Sequence, residues 1–165
     1  MPISSRWARG EAVEESCIVL DEAVPMPTTL RFELRPTLTN ASLNALFSAG
    51  SPGQGWPSWQ RQPDTSDWQP VLARSLVYVC AFDGDRLVGF VNVAWDGRDH
   101  AFLLDTRVHP DCRHRRIGTE LVHRARDAAR DAGCEVLHVD YTVELGPFYT
   151  SCGFVPTPAG LIHLG

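Results

Sequence analysis

Nothing in the chain approaches the roughly 18 consecutive apolar residues that a membrane-spanning helix needs, and the N-terminus lacks a basic stretch leading into an apolar core. The expectation is a protein neither inserted in a membrane nor secreted, with the cytoplasm as its compartment. The five cysteines, Cys17, Cys80, Cys112, Cys134 and Cys152, are an odd set without a C-x-x-C pair. That pattern argues against a disulfide framework or a zinc ribbon, suits a reducing compartment, and gives no reason to expect a metal. Two nucleotide signatures are also missing: there is no G-x-x-x-x-G-K-[ST] loop and no spaced three-glycine fingerprint after a strand. Basic charge is in deficit as well. A net charge of -5 works against non-specific attraction to phosphate backbones, so neither nucleic acid nor membrane is expected as a partner.

What the chain has is a single domain's worth of apolar material: 165 residues, 44% of them hydrophobic. Residues 1–28 mix Glu, Ser and Pro without sustained period and read as an N-terminal extension. The domain is expected over residues 29–165. Leu30–Arg35 alternates as a half-buried strand with Leu30, Phe32 and Leu34 inward. Thr39 or Asn40 then caps a helix carrying Leu43, Leu46 and Phe47 on one face, up to Gly50. After a Gly/Pro/Ser/Trp-rich loop (Ser51–Gln69), a short helix from about Ser66 to Ser75 is limited by Pro70.

Three apolar runs come next, Leu76–Phe82, Leu87–Ala94 and Ala101–Val108, separated by Asp-Gly turn signals, and they read as an antiparallel meander. From Ile117 the period becomes helical through Leu121, Val122, Ala125, Ala128, Ala129 and Ala132, stopping at Gly133. Val136–Tyr141 is the next strand. A helix joins it to the Ala101–Val108 strand, so the two should be parallel in a right-handed crossover. A short helix Pro147–Cys152 and a last strand or hairpin over Phe154–Leu164 complete a mixed α/β (α+β) reading, with a mostly antiparallel twisted sheet flanked by helices.

The informative stretch is Val108–Thr119, which runs from a strand end through the basic turn Arg113-His114-Arg115-Arg116 into a helix start at Ile117-Gly118-Thr119. A helix N-terminus offers unpaired N–H groups and a positive dipole, arginines add charge, and Gly118 removes a Cβ from the approach. The chemistry points to a phosphorylated ligand without naming it.

Arg113–Gly118 resembles the R/Q-x-x-G-x-G/A pyrophosphate loop of the GNAT acetyltransferases, and Phe148-Tyr149-Thr150-Ser151-Cys152-Gly153-Phe154 resembles that family's F-Y-x-x-x-G-F segment. The resemblance runs from about Leu30 to Leu164. It implies acetyl-coenzyme A as cosubstrate, no metal, and a central splay between the strands ending at Val108 and Tyr141. The splay admits the cofactor's pantetheine arm beside the backbone of Thr106, Arg107 and Val108. The implied cofactor contacts are these three residues and Arg113, His114, Arg115, Arg116, Ile117, Gly118 and Thr119. Two positions depart from the family pattern: Arg116 stands at the loop's first glycine, and Thr142 stands where many members carry Asn.

The resemblance further implies that Tyr149 protonates the leaving thiolate, while Asp105 is the first candidate base and Glu144, on the acceptor side, the second. His100, His109 and His138 are weaker candidates, and Cys152 is rejected as a nucleophile because no His–Asp pair is placed around it. Trp56, flanked by Gly55 and Pro57, is the expected acceptor contact, while Trp68 is read as a core anchor. The expected acceptor is a small-molecule amine or a protein amine, N-terminal or lysine. A homodimer is allowed. A coenzyme A-binding regulatory domain without turnover is the alternative reading.

Overall fold

The computed structural model describes residues 30–49, 65–162 and 164; the N-terminal extension, Trp56 and Trp59 lie outside them. The elements run β1 (Leu30–Leu34), α1 (Asn40–Ala49), α2 (Gln69–Arg74), β2 (Val77–Asp83), β3 (Arg86–Trp95), β4 (His100–Val108), α3 (Ile117–Asp131), β5 (Val136–Val139) and α4 (Gly146–Ser151). The five strands form one sheet in chain order, antiparallel from β1 to β4 and parallel between β4 and β5, as the helical crossover requires.

Strand alternation divides the core into two layers. Val77, Val79, Val91, Val93, Ala101 and Leu103 face α3, whose Ile117, Leu121, Val122, Ala125 and Ala129 form the buried stripe expected from their spacing. The opposite residues Tyr78, Cys80 and Phe90 meet Leu43, Leu46 and Phe47 of α1 and Trp68 and Leu72 of α2. Trp68 is the anchor of that layer. Its ring centroid lies 4.5 Å from that of Phe47, and its indole N–H donates to Asn44 Oδ1 at 2.8 Å.

Local signals act as their chemistry suggests. Thr39 Oγ1 accepts from the Ser42 N–H at 3.1 Å, so Thr39 caps α1. Asn40 instead accepts from the Trp68 N–H at 3.0 Å and ties the two helices together. Pro70 sits in the first turn of α2, where no N–H is needed, and the helix starts at Gln69 rather than Ser66.

Two expectations are corrected. Leu34 lies at the end of an edge strand and is half exposed rather than inward. No strand forms over Phe154–Ile162: this stretch is irregular, because Pro156 and Pro158 have no N–H to give a ladder. β5 therefore ends the sheet, with the C-terminal residues from Phe154 to Leu161 lying along it across an open groove.

Gly89 and Asp105 interrupt the regularity of β3 and β4. Gly89 faces α3, and a Cβ there would meet Leu121 Cδ1 at 2.9 Å, Ile117 Cγ2 at 3.0 Å and Ala81 Cβ at 3.1 Å. This missing side chain sets how closely the first turns of α3 approach the sheet. On β4, Arg107 is paired with Phe90 but Leu104 with Asn92, so three steps on one strand match two on the other: a bulge with Asp105 at φ +55°. Among the described residues no helix is long and apolar enough to cross a membrane.

Because the atoms around Gly89 belong to a close-packed core, Gly89→Ala should destabilise the protein by roughly 1–3 kcal/mol through overpacking. Urea unfolding followed by circular dichroism measures this. An unchanged midpoint would show that α3 is free to move away from the sheet.

Candidate active site

The bulge and the sheet topology together open a gap. Pairing of β4 with β5 ends at Leu103 and Val139, while β4 runs on to Val108 against β3 alone. The backbone of Leu104–Val108 therefore has no strand partner on its β5 side. The extra residue also reverses which way β4 side chains point. Before it, Ala101 and Leu103 face α3; after it, Val108 joins that layer and Arg107 turns to the other, its guanidinium 4.9 Å above the Phe47 ring. Residues 105 and 106 thus sit at the crossover between the sheet's two faces.

On the α1 side, Asp105 takes a hydrogen bond from Asn92, a nearly fully buried amide whose Oδ1 has no partner among the described residues. Burial pushes the Asp105 carboxyl above the ordinary carboxylate range, and the Asn92 bond and the Arg107 charge only partly offset this. On the opposite side, Thr106 hydrogen-bonds the buried Tyr149 hydroxyl. Desolvation raises the Tyr149 pKa more than that bond lowers it, so the phenol holds its proton at neutral pH. Tyr149 is fixed by three rings: Tyr141 stacked at 4.9 Å, Phe148 at 4.9 Å and Phe154 edge-on at 5.7 Å.

Beyond Val108 a 3-10 turn at Pro110–Cys112 leads into the basic loop. His114 and Arg116 both adopt left-handed backbone, φ +61° and +58°, which turns successive N–H groups into a concave anion-binding arrangement. Arg116 is the N-cap of α3, and its side chain makes no capping hydrogen bond. The first-turn N–H groups of Ile117, Gly118 and Thr119 have no carbonyl four residues back within the helix, so they remain for an anion. Gly118 is placed with its missing Cβ toward Phe148 (3.4 Å to Cζ) and Val108 (3.6 Å to Cγ2). Its smallness lets the helix start seat against α4 and the strand end.

The arginines differ in role. Arg115 binds Asp83 at 3.3 Å and reaches Cys112 Sγ at 3.7 Å, pinning the loop to β2. Arg113 is exposed and close enough to Arg107 to help depress the latter's pKa, after the larger effect of burial. Two guanidinium groups that repel each other in this way are relieved by a shared anion. The loop and the gap thus fit a diphosphate joined to an extended arm.

Other candidates fall away from this centre. Glu144 is exposed, in the 3-10 turn Val143–Leu145, and its carboxyl is held below the usual range by the Thr142 hydroxyl. It stays ionised and attracts cations better than it accepts a proton. His109 contacts Arg86 at 2.6 Å and Asp111, and His100 bonds His138 at 2.9 Å on the open sheet face. Cys152 is buried and its thiol pushed up by desolvation, unlike an activated nucleophile. Among the described residues no group of three or more His, Cys, Asp or Glu is placed to hold a metal.

Three participants are not among the residues that sequence reasoning singles out: Asn92, the Thr106 side chain and Asp83. Asn92 leaves a signal, being the one polar residue in the apolar run Leu87–Ala94. The other two depend on the bulge and on loop closure, which leave no local pattern.

Comparison with known proteins fits this geometry. No curated protein matches the chain. Among solved structures the fold is similar to a GNAT-family acetyltransferase from Streptococcus pneumoniae, with TM-score 0.64 and 22% identity over 82% of this chain and 98% of that one. Glucosamine-6-phosphate N-acetyltransferase from Arabidopsis thaliana gives TM-score 0.61 and 14% identity, covering 81% and 97%. AAC(6')-Iy, in complex with the bisubstrate analogue CoA-S-monomethyl-acetylneamine, gives 0.62 and 18%, covering 82% and 97%. The sequence itself matches the model of the acetyltransferase (GNAT) family over residues 41–154, from within α1 to just past α4. The chain accordingly belongs to the GNAT acetyltransferases and is an acyltransferase.

Proposed function

We propose that the protein transfers the acetyl group of acetyl-coenzyme A directly to an amine while both substrates are bound. The observation that carries this reading is the continuity of three features: the donor-rich loop at the head of α3, the unpaired backbone of Leu104–Val108, and a proton donor and acceptor on either side of the bulge. Arg113, His114, Arg116 and the N–H groups of Ile117, Gly118 and Thr119 would hold the diphosphate, with Arg115 fixing the loop. The backbone of Thr106, Arg107 and Val108 would pair with the pantetheine arm.

When bound, acetyl-coenzyme A supplies a thioester carbonyl that the amine attacks, so that a C–N bond forms, the C–S bond breaks, and coenzyme A leaves as its thiol. Asp105, its carboxylate basicity raised by burial, takes the proton the amine must lose. Tyr149, kept protonated by its apolar cage and aligned by Thr106, gives a proton to the leaving sulfur. The N–H groups of the β4 stretch are suited to stabilise charge on the carbonyl oxygen. Acceptors of small-molecule or protein type both belong to this proposal, approaching Asp105 from the α1 side. Trp56 remains a proposed acceptor contact outside the described residues, and location in the cytoplasm is part of the same proposal.

Calorimetric titration with coenzyme A and a screen for thiol release across an amine panel test the reading together. Arg113→Glu should weaken coenzyme A binding at least about tenfold, the effect of a charge reversal in a partly desolvated anion site. A wild-type protein that neither binds coenzyme A nor releases thiol would overturn the proposal.

Tyr149→Phe keeps the stacked ring and removes the proton, so kcat should fall by roughly 10²–10⁴-fold with coenzyme A affinity nearly kept. Full turnover would reduce Tyr149 to a core aromatic.

Asp105→Asn separates function from stability. The folded pKa of Asp105 lies above the unfolded value of about 3.9, so ionising it costs folding free energy as pH rises through the folded pKa. The variant should therefore be more stable than wild type at pH 7, with the gain vanishing below about pH 3.9, while kcat/KM falls and loses its acid limb. Thermal melts and a pH–rate profile are the measurements. A destabilised variant with an intact profile would make Asp105 a structural carboxylate.

A further inference from the structure

Among the described residues, the sheet face that carries α1 and α2 is covered over only half its width. Tyr78, Cys80 and Phe90 are sealed under Phe47 and Trp68. The same face continues across the β3–β4 register to Leu104 and Phe102 and on to β5, where Phe102 pairs with His138 and His100 with Val136. Here the apolar side chains are open: Phe102 is 42% and Leu104 40% exposed. The rings of this half are nearly parallel. His138 stacks on Phe102 at 4.9 Å and 17° and on His100 at 5.1 Å and 23°. An exposed Phe on an otherwise apolar strand face needs a reason, because the neighbouring aromatics of the same face are buried.

We propose that this shelf of Phe102, Leu104 and His138 receives the body of the acceptor, and that the acceptor is a primary amine carrying a flat apolar ring; the inference rests on the acetyl-transfer reading above. Continuity with the reacting centre is the first support. Leu104 directly precedes Asp105 and is the cross-strand partner of Asn92, which donates to the Asp105 carboxyl. Phe102 lies one strand period further, about 7 Å along β4. An amine nitrogen at Asp105 therefore places a ring two or three bonds away over Leu104, with its far edge directed toward Phe102, about 10 Å from Asp105 along the strand.

Charge is the second support. Within β4 and β5 the only cation on this face, Arg107, is held over Phe47 on the far side of the bulge, and the chain contains no lysine. The shelf thus offers nothing to a phosphate or sulfate on the acceptor. It also lacks the carboxylate cluster that a polycation would require, since its polar groups are a hydrogen-bonded pair of imidazoles. A ring that stacks on Phe102 and His138 gains from offset aromatic contact, and its ammonium group meets Asp105.

Three primary amines test this: 2-phenylethylamine, its saturated counterpart 2-cyclohexylethylamine, and spermidine. The expected order of kcat/KM is phenyl over cyclohexyl by roughly 3–10-fold, the range of an aromatic pair, with spermidine lowest. Phe102→Ala should abolish the phenyl preference without changing coenzyme A binding, and Phe102→Tyr should restore it. Independently of turnover, adding 2-phenylethylamine to the protein, with and without coenzyme A, should move the ring proton NMR signals of His138, and Phe102→Ala should remove that shift. Equal use of the three amines, a preference for spermidine, or His138 signals that stay in place would each overturn the shelf. Loss of coenzyme A binding in the wild-type protein would instead overturn the underlying reading, and the His138 signals would still report whether the shelf takes the amine.

Discussion

One extra residue in β4 organises this protein. A regular strand would send residues 104, 106 and 108 to the same face, putting Thr106 on the α1 side and leaving Tyr149 without its hydroxyl partner. The bulge at Asp105, held in left-handed backbone at φ +55°, resets the alternation so that Arg107 joins Phe47 while Val108 joins the α3 layer. It also places consecutive residues against opposite faces, Asp105 bonded to Asn92 and Thr106 bonded to Tyr149. Asp is one of the few side chains that enters this backbone region at modest cost. A carboxylate and a phenol on either side of one strand, next to a gap that no neighbouring strand among the described residues fills, result from that single insertion.

The second constraint is how the basic loop is held in shape. Arg116 occupies a left-handed position where glycine would be unstrained, at a cost of roughly 1–2 kcal/mol. His114 is in the same region. The surrounding structure offsets this strain: the Arg115–Asp83 ion pair pins the loop to β2, buried Cys112 anchors its start, and Ile117 is locked beneath Gly89. Gly89 and Gly118 act as a pair. The first lets α3 approach the sheet; the second lets Phe148 and Val108 close against the helix start. The donors of the first turn are therefore preorganised, which lowers the cost of binding an anion there.

Much of this architecture is legible from residues alone, for a physical reason. Helical spacing over Ile117–Ala132 and the Asp-Gly turns of the meander are local signals, and they specify the layers and the parallel β4–β5 pair. The loop is legible because the role proposed for it resides in backbone donors at a helix start, which sequence marks by charge and glycine. The bulge is not, because register is a relation between two strands, and neither strand alone records it. Hence the main chain of Thr106 is named by the family resemblance, while the bond from its side chain to Tyr149 is not. The missing last strand has a different cause: apolar residues at Val155, Leu161 and Ile162 suggest a strand, yet Pro156 and Pro158 remove the donors a ladder needs.

Asn92 shows the energetic side of the same design. A buried amide carbonyl without a partner costs roughly 1–3 kcal/mol, and an apolar residue of similar size in β3 would avoid that cost. Its Nδ2 is committed to Asp105, whose own burial is unfavourable once ionised. Both costs fall on adjacent residues of one face, immediately before the exposed shelf of Leu104 and Phe102 and immediately beside the strand gap. Elsewhere the same two layers are filled by Val, Leu, Phe and Ala packed to near-zero exposure. A polar pair that lowers stability in so apolar a core is the observation that supports the proposed role of the carboxylate toward a substrate.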